Sequence, residues 1–113
     1  MYEDLDLLRG TLDLFVLKTL TWGPMHGLAI LRWIEGVTAS RLQIEEGALY
    51  PALHRMEHKG WLDAEWGVTE SNRKAKFYRL TAKGRRQFAA NLSMWERYIR
   101  AAAMVLSARS AAI

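Results

Sequence analysis

The stretch that decides the fold is residues 47–62, which read GALYPALHRMEHKGWL. Its large apolar residues are spaced four and three apart, a pattern that places their side chains on one face of a helix. These residues are Leu49, Leu53 and Met56. The opposite face carries Tyr50 and His54. The pattern therefore predicts a short helix with one side anchored in a core and an aromatic, basic side that can contact another molecule.

Helices are predicted before this stretch and strands after it. The first two helices are expected at 8–22 and 25–35, separated by the turn pair Gly23-Pro24. After Gly60 the period changes from helical to alternating, and two such segments flank the polar sequence GVTESNRK. These segments, 61–66 and 75–80, predict a two-stranded ribbon with a long basic tip.

The C-terminal segment, 81–106, predicts one long helix with a heptad seam of apolar residues. The seam consists of Phe88, Leu92, Trp95, Ile99, Ala102 and Leu106. A second apolar stripe runs beside the seam, so the apolar surface of this helix is wider than packing within one small domain requires. We therefore predict a homodimer in which this helix pairs with its copy and with the partner's N-terminal helix. The N-terminal contacts are expected at Leu8, Leu12 and Phe15.

Composition narrows the class of protein. The chain has no cysteine, which excludes a disulfide framework, a thiolate nucleophile and a cysteine-ligated metal. The sequence MYEDLDLL at the N-terminus is acidic where a secretory signal would be basic. No apolar run approaches the roughly 18–20 residues of a membrane helix. We expect a cytoplasmic protein with no cofactor and no membrane association.

Charge is distributed unevenly along the chain. The formal net charge is +4, and residues 71–86 contain seven basic side chains and no acidic one. The first 36 residues carry five acids against three bases. Such asymmetry predicts a face that meets a polyanion.

Together, these elements have the order of a winged helix-turn-helix: a mainly α (α+β) fold with a two-stranded β wing and a long C-terminal dimerisation helix. In that fold the third helix enters the DNA major groove and the tip of the ribbon reaches the flanking backbone or the minor groove. We predict a DNA-binding domain at 8–81 and a dimerisation helix with a short tail at 82–113. Base edges would be read near Tyr50 and His54, and cations would hold phosphate. The full set of predicted contacts with double-stranded DNA is Gly47, Ala48, Tyr50, His54, Arg55, Arg73, Lys74 and Lys76.

The chain resembles the PadR family of bacterial transcriptional regulators in four segments. They are GTLDLFVLKTL at 10–20, GPMHG at 23–27, LYPALHRMEHKGWL at 49–62 and AKFYRLTAKGR at 75–85. The resemblance implies a winged-helix repressor of the short type, with a single C-terminal dimerisation helix. It also implies that Tyr50 contacts operator DNA. Family members often carry Ser or Thr where this chain has Ala48, so one hydroxyl contact or cap is missing here.

The resemblance also implies an effector. Some relatives sense flat aromatic compounds between subunits, and two Trp95 side chains meeting across a two-fold axis could stack on such a molecule. Simple dimer packing is the other interpretation of Trp95.

Two other functions remain open at this point. Residues 54–58 satisfy the zinc-peptidase pattern H-x-x-E-H, which would make the chain an enzyme. However, a chain with three histidines and no cysteine offers no obvious third ligand or cleft, so we predict no metal site and no catalytic activity. A winged helix can also be a protein-interaction module without DNA binding. The basic ribbon favours DNA over a protein partner.

Overall fold

Four helices and three strands follow one another in residues 10–110, the part of the chain that the computed structural model describes. Their order is α1 (Thr11–Leu20), β1 (Met25–His26), α2 (Gly27–Val37), α3 (Glu46–His58), β2 (Leu62–Val68), β3 (Lys74–Leu80) and α4 (Ala82–Ser107). The predicted winged-helix order is confirmed. Leu8, a predicted interface residue, and the ends of both predicted domains lie outside the described residues.

The core lies between α1, α2, α3 and the sheet. The three apolar residues that predicted α3 are each fully buried, and they pack with residues of α1, α2 and β2 in one cluster. The fully buried members from those neighbours are Val16, Leu17, Leu20, Ile30 and Leu62. Burial of each such side chain contributes about 1.5–3 kcal/mol. The anchored side of α3 is therefore fixed by the hydrophobic effect, which leaves its other side at the surface.

A short strand, β1, is absent from the sequence-based prediction. Met25 and His26 pair antiparallel with Tyr78 and Phe77 of β3, so the predicted two-stranded ribbon is part of a three-stranded sheet with the order β1-β3-β2. Two residues are too few to display an alternating pattern, so the sequence predicts them as part of the second helix. That helix begins at Gly27 instead of residue 25.

The wing, formed by β2 and β3, has longer strands and a shorter loop than predicted. The loop contains only residues 69–73, because Lys74 and Val68 belong to the strands. The Thr69 backbone N–H donates to the Arg73 carbonyl at 2.8 Å, and Asn72 adopts a positive φ of 63°, which asparagine tolerates. The prediction of a long basic tip is therefore wrong, because the loop carries one basic and one acidic side chain, Arg73 and Glu70.

A single residue, Thr81, joins the wing to α4. Its Oγ1 accepts a hydrogen bond from the Gly84 N–H at 3.0 Å and donates to the Gly60 carbonyl at 2.6 Å. Its backbone N–H donates to the Trp61 carbonyl at 3.0 Å. A Cβ on Gly84 would lie 2.0 Å from the same Trp61 oxygen, so only glycine allows α4 to approach the wing this closely.

Helix α4 has 26 residues and is therefore about 39 Å long. Gly84 is its buried residue, and the large apolar side chains near its C-terminus are exposed. None of the helices in residues 10–110 has the length and apolar character needed to cross a membrane.

Candidate nucleic-acid interface

The exposed edge of α3 carries three side chains spaced four residues apart, Tyr50, His54 and His58. This spacing aligns them along the helix, on the side away from the core. Tyr50 is 44% exposed although it is aromatic. The predicted division of this helix into an anchored side and a free side is therefore confirmed.

The first turn of α3 contains Gly47 and Ala48, both exposed. The helix begins at Glu46, and the side chain of its N-cap residue, Glu45, makes no capping hydrogen bond. Pro51 lies in the second turn, and its missing N–H leaves the Gly47 carbonyl without a helical partner. The start of this helix is thus accessible to solvent.

The position of the Tyr50 ring is set by Gly27, the first residue of α2. A Cβ at Gly27 would lie 2.7 Å from Cε1 and 2.8 Å from the hydroxyl oxygen of Tyr50. The ring therefore occupies the space that a side chain would fill. No role is predicted for Gly27 from the sequence, although it lies in GPMHG, one of the four segments that carry the family resemblance.

Replacing Gly27 with alanine is expected to displace the Tyr50 ring and weaken binding to specific DNA about ten-fold, the effect of losing one base-reading contact. Folding should change little, because the ring lies at the surface and can rotate away. Fluorescence anisotropy with a selected DNA site measures the affinity, and Gly36→Ala, which fills open space in the same helix, is the matched control. An equal loss in a Tyr50→Ala background would show that Gly27 acts independently of the ring.

The wing turns one face toward the side of α3. Trp66 lies opposite Lys76 and Val68 lies opposite Lys74, on the same face as the buried pair Leu62 and Leu80. Trp66 is 63% exposed, and the Lys74 ammonium lies 5.6 Å from its ring centroid. No function is predicted for Trp66 from the sequence, yet it lies beside two predicted DNA contacts, Lys74 and Lys76.

The four predicted phosphate-binding cations fall into two groups. Arg73 and Lys74 are exposed and form no ion pair with any residue of the described range. By contrast, Lys76 donates to Glu57 at 2.9 Å, and Arg55 donates to Asp13. The hydrogen bond to Glu57 raises the pKa of Lys76, so this side chain stays cationic throughout the neutral range.

The H-x-x-E-H pattern lies in the last turns of α3. His54 and His58 are exposed, and Glu57 is occupied by Lys76. Among residues 10–110, no three metal-ligating side chains come together.

A groove of about 620 Å³ separates α1 from α4. Its apolar lining includes Leu14, Trp61, Met94, Trp95 and Tyr98. The Trp95 and Tyr98 rings are 6.3 Å apart with a tilt of 30°. Eight of the predicted interface residues lie within the described range. Six are partly buried: Leu12, Phe15, Phe88, Leu92, Trp95 and Ala102. The other two, Ile99 and Leu106, are exposed.

Comparison with known proteins identifies relatives of this chain. The family model described as "Transcriptional regulator PadR-like family" matches residues 16–90. An uncharacterized protein of Lysinibacillus sphaericus is 30% identical over 90 residues, which span 80% of this chain and 83% of that one.

Solved structures share the fold. A PadR family transcriptional regulator from Eggerthella lenta superposes with a TM-score of 0.77 at 30% identity, over 89% of this chain and 86% of that one. A transcriptional regulator from Clostridium thermocellum gives a TM-score of 0.75 at 28% identity, over 82% and 90% of the two chains. The similarity therefore extends over most of each molecule.

Proposed function

The chain belongs to the PadR-like family of transcriptional regulators, and we propose that it is a homodimeric repressor of a pseudo-palindromic operator. Members of this family are DNA-binding regulators and not enzymes. The zinc-peptidase pattern at 54–58 is therefore coincidental. The observation that best supports the proposal is the exposed edge of α3, where Tyr50 and His54 stand free of the core.

In this proposal α3 is the recognition helix. Tyr50 and His54 meet base edges in the major groove, and the accessible first turn at Gly47 and Ala48 approaches the backbone. Arg73 and Lys74, which form no ion pair within residues 10–110, hold phosphate beside the groove. The other two predicted phosphate contacts, Arg55 and Lys76, differ because each already has a carboxylate partner.

The dimer in this proposal forms through α4. Its residues Ile99, Met104, Val105 and Leu106 are exposed within the described part of the chain and form an apolar surface that a second copy would cover. A two-fold dimer would place two copies of α3 about 34–36 Å apart, one turn of DNA, and this spacing requires a pseudo-palindromic site. The family is typically dimeric, which supports this assembly.

Release of the DNA is proposed to follow from a small aromatic effector bound at Trp95. The groove beside α4 is lined by aromatic and apolar side chains, which suit a flat ligand. A ligand that binds two arrangements of the dimer unequally would shift the population between them and so change the separation of the recognition helices.

The test is fluorescence anisotropy of a labelled mixed-sequence duplex at about 50 to 200 mM salt. A dimer touching six to ten phosphates should lose on the order of a thousand-fold in affinity over this range. Tyr50→Ala should then weaken binding to a selected operator while thermal unfolding and dimerisation stay unchanged. No binding at the lowest salt would contradict DNA as the partner and favour the protein-interaction module.

A further inference from the structure

Two cations on or beside the proposed DNA-binding surface are neutralised within the chain itself. Lys76 belongs to the wing face that also carries Trp66 and Lys74, and Arg55 belongs to the recognition helix. Each lies against a carboxylate from a different element, Glu57 for Lys76 and Asp13 for Arg55. Arg73 and Lys74, at the end of the wing, form no such pair with any carboxylate in the described part of the chain.

The Lys76–Glu57 pair connects the wing to α3. Its N–O distance is 2.9 Å, and each side chain is 31% exposed, so both charges are partly removed from water. Partial desolvation strengthens such a contact relative to a fully exposed pair. The raised pKa of Lys76 agrees with an ammonium that the carboxylate stabilises.

The Arg55–Asp13 pair connects α3 to α1. Asp13 is 19% exposed and lies in the first turn of α1, where the helix dipole favours a negative charge. The carboxylate is thus held in place by its own helix, and Arg55, which is 46% exposed, extends to it. A guanidinium engaged by a carboxylate has fewer donors left for phosphate.

We propose that Asp13 and Glu57 lower the ionic, sequence-independent part of DNA binding by occupying Arg55 and Lys76 and so keeping these cations off the DNA backbone. The inference rests on the proposed function, since it concerns the same surface. Phosphate contacts raise affinity for every sequence equally, and they dominate non-specific binding. Internal neutralisation of two cations in each protomer lowers this ionic contribution to affinity and its salt dependence, and it leaves the base-reading side chains unaffected.

The experiment measures anisotropy of the mixed-sequence duplex against salt for Glu57→Gln and Asp13→Asn, which keep the shape of each side chain and remove its charge. Each freed cation should steepen the plot of log affinity against log salt by about 0.9, or about 1.8 for two protomers. Between 50 and 200 mM salt, each variant should lose roughly ten-fold more affinity than the parent protein. Circular dichroism checks that both variants are folded.

The matched control is Glu65→Gln. Glu65 is exposed on β2, on the sheet face opposite Lys76, and it pairs with no cation in the described part of the chain. Glu65→Gln changes the net charge by the same amount as Glu57→Gln and Asp13→Asn. A salt slope that steepens equally in Glu65→Gln would overturn the inference in favour of a general charge effect.

A second comparison tests the cation itself. Lys76→Met combined with Glu57→Gln removes both charges of the pair, so this double variant should lose the gain of Glu57→Gln and return to the salt slope of the parent protein. A slope shallower than that of the parent protein in this double variant would show that Lys76 already binds phosphate, and the inference would fail while the proposed function stood. If the parent protein binds no duplex at any salt concentration, the proposed function itself fails and the inference falls with it.

Discussion

Replacement of Gly84 with alanine is expected to lower the free energy of unfolding by about 3 kcal/mol, the upper range for overpacking at a closely packed site. The new Cβ would lie 2.0 Å from the Trp61 carbonyl oxygen, and that oxygen belongs to the backbone, so no side-chain rotation can relieve the clash. The start of α4 must move away from the wing, which breaks the hydrogen bond between the Thr81 N–H and the Trp61 carbonyl. Urea denaturation at one protein concentration measures the change.

The control for this experiment is the same substitution at Gly36, in α2. A Cβ there meets nothing within 4 Å, and alanine is favoured over glycine inside a helix by roughly 0.5–1 kcal/mol. The two Gly→Ala variants should therefore change stability in opposite directions. A small effect at Gly84, similar in size to the one at Gly36, would mean that α4 tolerates a wider junction with the wing.

The second large effect is expected from Trp95→Asp, which places a charge in the apolar seam of α4. Burying an unpaired carboxylate costs several kcal/mol, so the protein should become monomeric or aggregate. A monomer presents one recognition helix instead of two, and operator affinity should fall about a hundred-fold or more because the linked second contact is lost. Light scattering measures the mass, and anisotropy measures the affinity.

Ser93→Asp is the matched control for Trp95→Asp. Ser93 is exposed and lies two positions before Trp95, which places it on roughly the opposite side of α4. A carboxylate introduced at position 93 should leave the dimer intact. A stable dimer of Trp95→Asp would show that the interface uses another surface, and an equal loss in both variants would indicate general destabilisation of the helix.

Much of the fold could be predicted because it depends on local periodicity. The spacing of Leu49, Leu53 and Met56 predicted both α3 and its buried side, since a helical period requires one apolar face. The predicted end of α4 agrees to within one residue. The two-residue strand β1 could not be predicted, because its existence depends on pairing with Tyr78 and Phe77, far away in sequence.

The candidate site could be predicted only in part, for a related reason. The exposure of Tyr50 and His54 follows from the helical period of α3. The ion pairs of Arg55 and Lys76 do not, because their carboxylate partners are 42 and 19 residues away and meet them only after the helices pack. A basic run in the sequence shows where cations are and does not show which of them are already neutralised.

The junction at Thr81 has a mechanical consequence for regulation. One residue separates β3 from α4, and its hydrogen bonds connect it to Gly60 and Trp61. A rotation of the long helix is therefore expected to rotate the wing with it. A strand of seven residues is about 23 Å long, and a 10° rotation would therefore sweep the loop at its end through about 4 Å. That arc is close to the rise of one base pair, about 3.4 Å. In the proposed dimer, a small change in the crossing angle of the two α4 helices would shift each wing by about one base pair along the DNA, with no hinge and no unfolding.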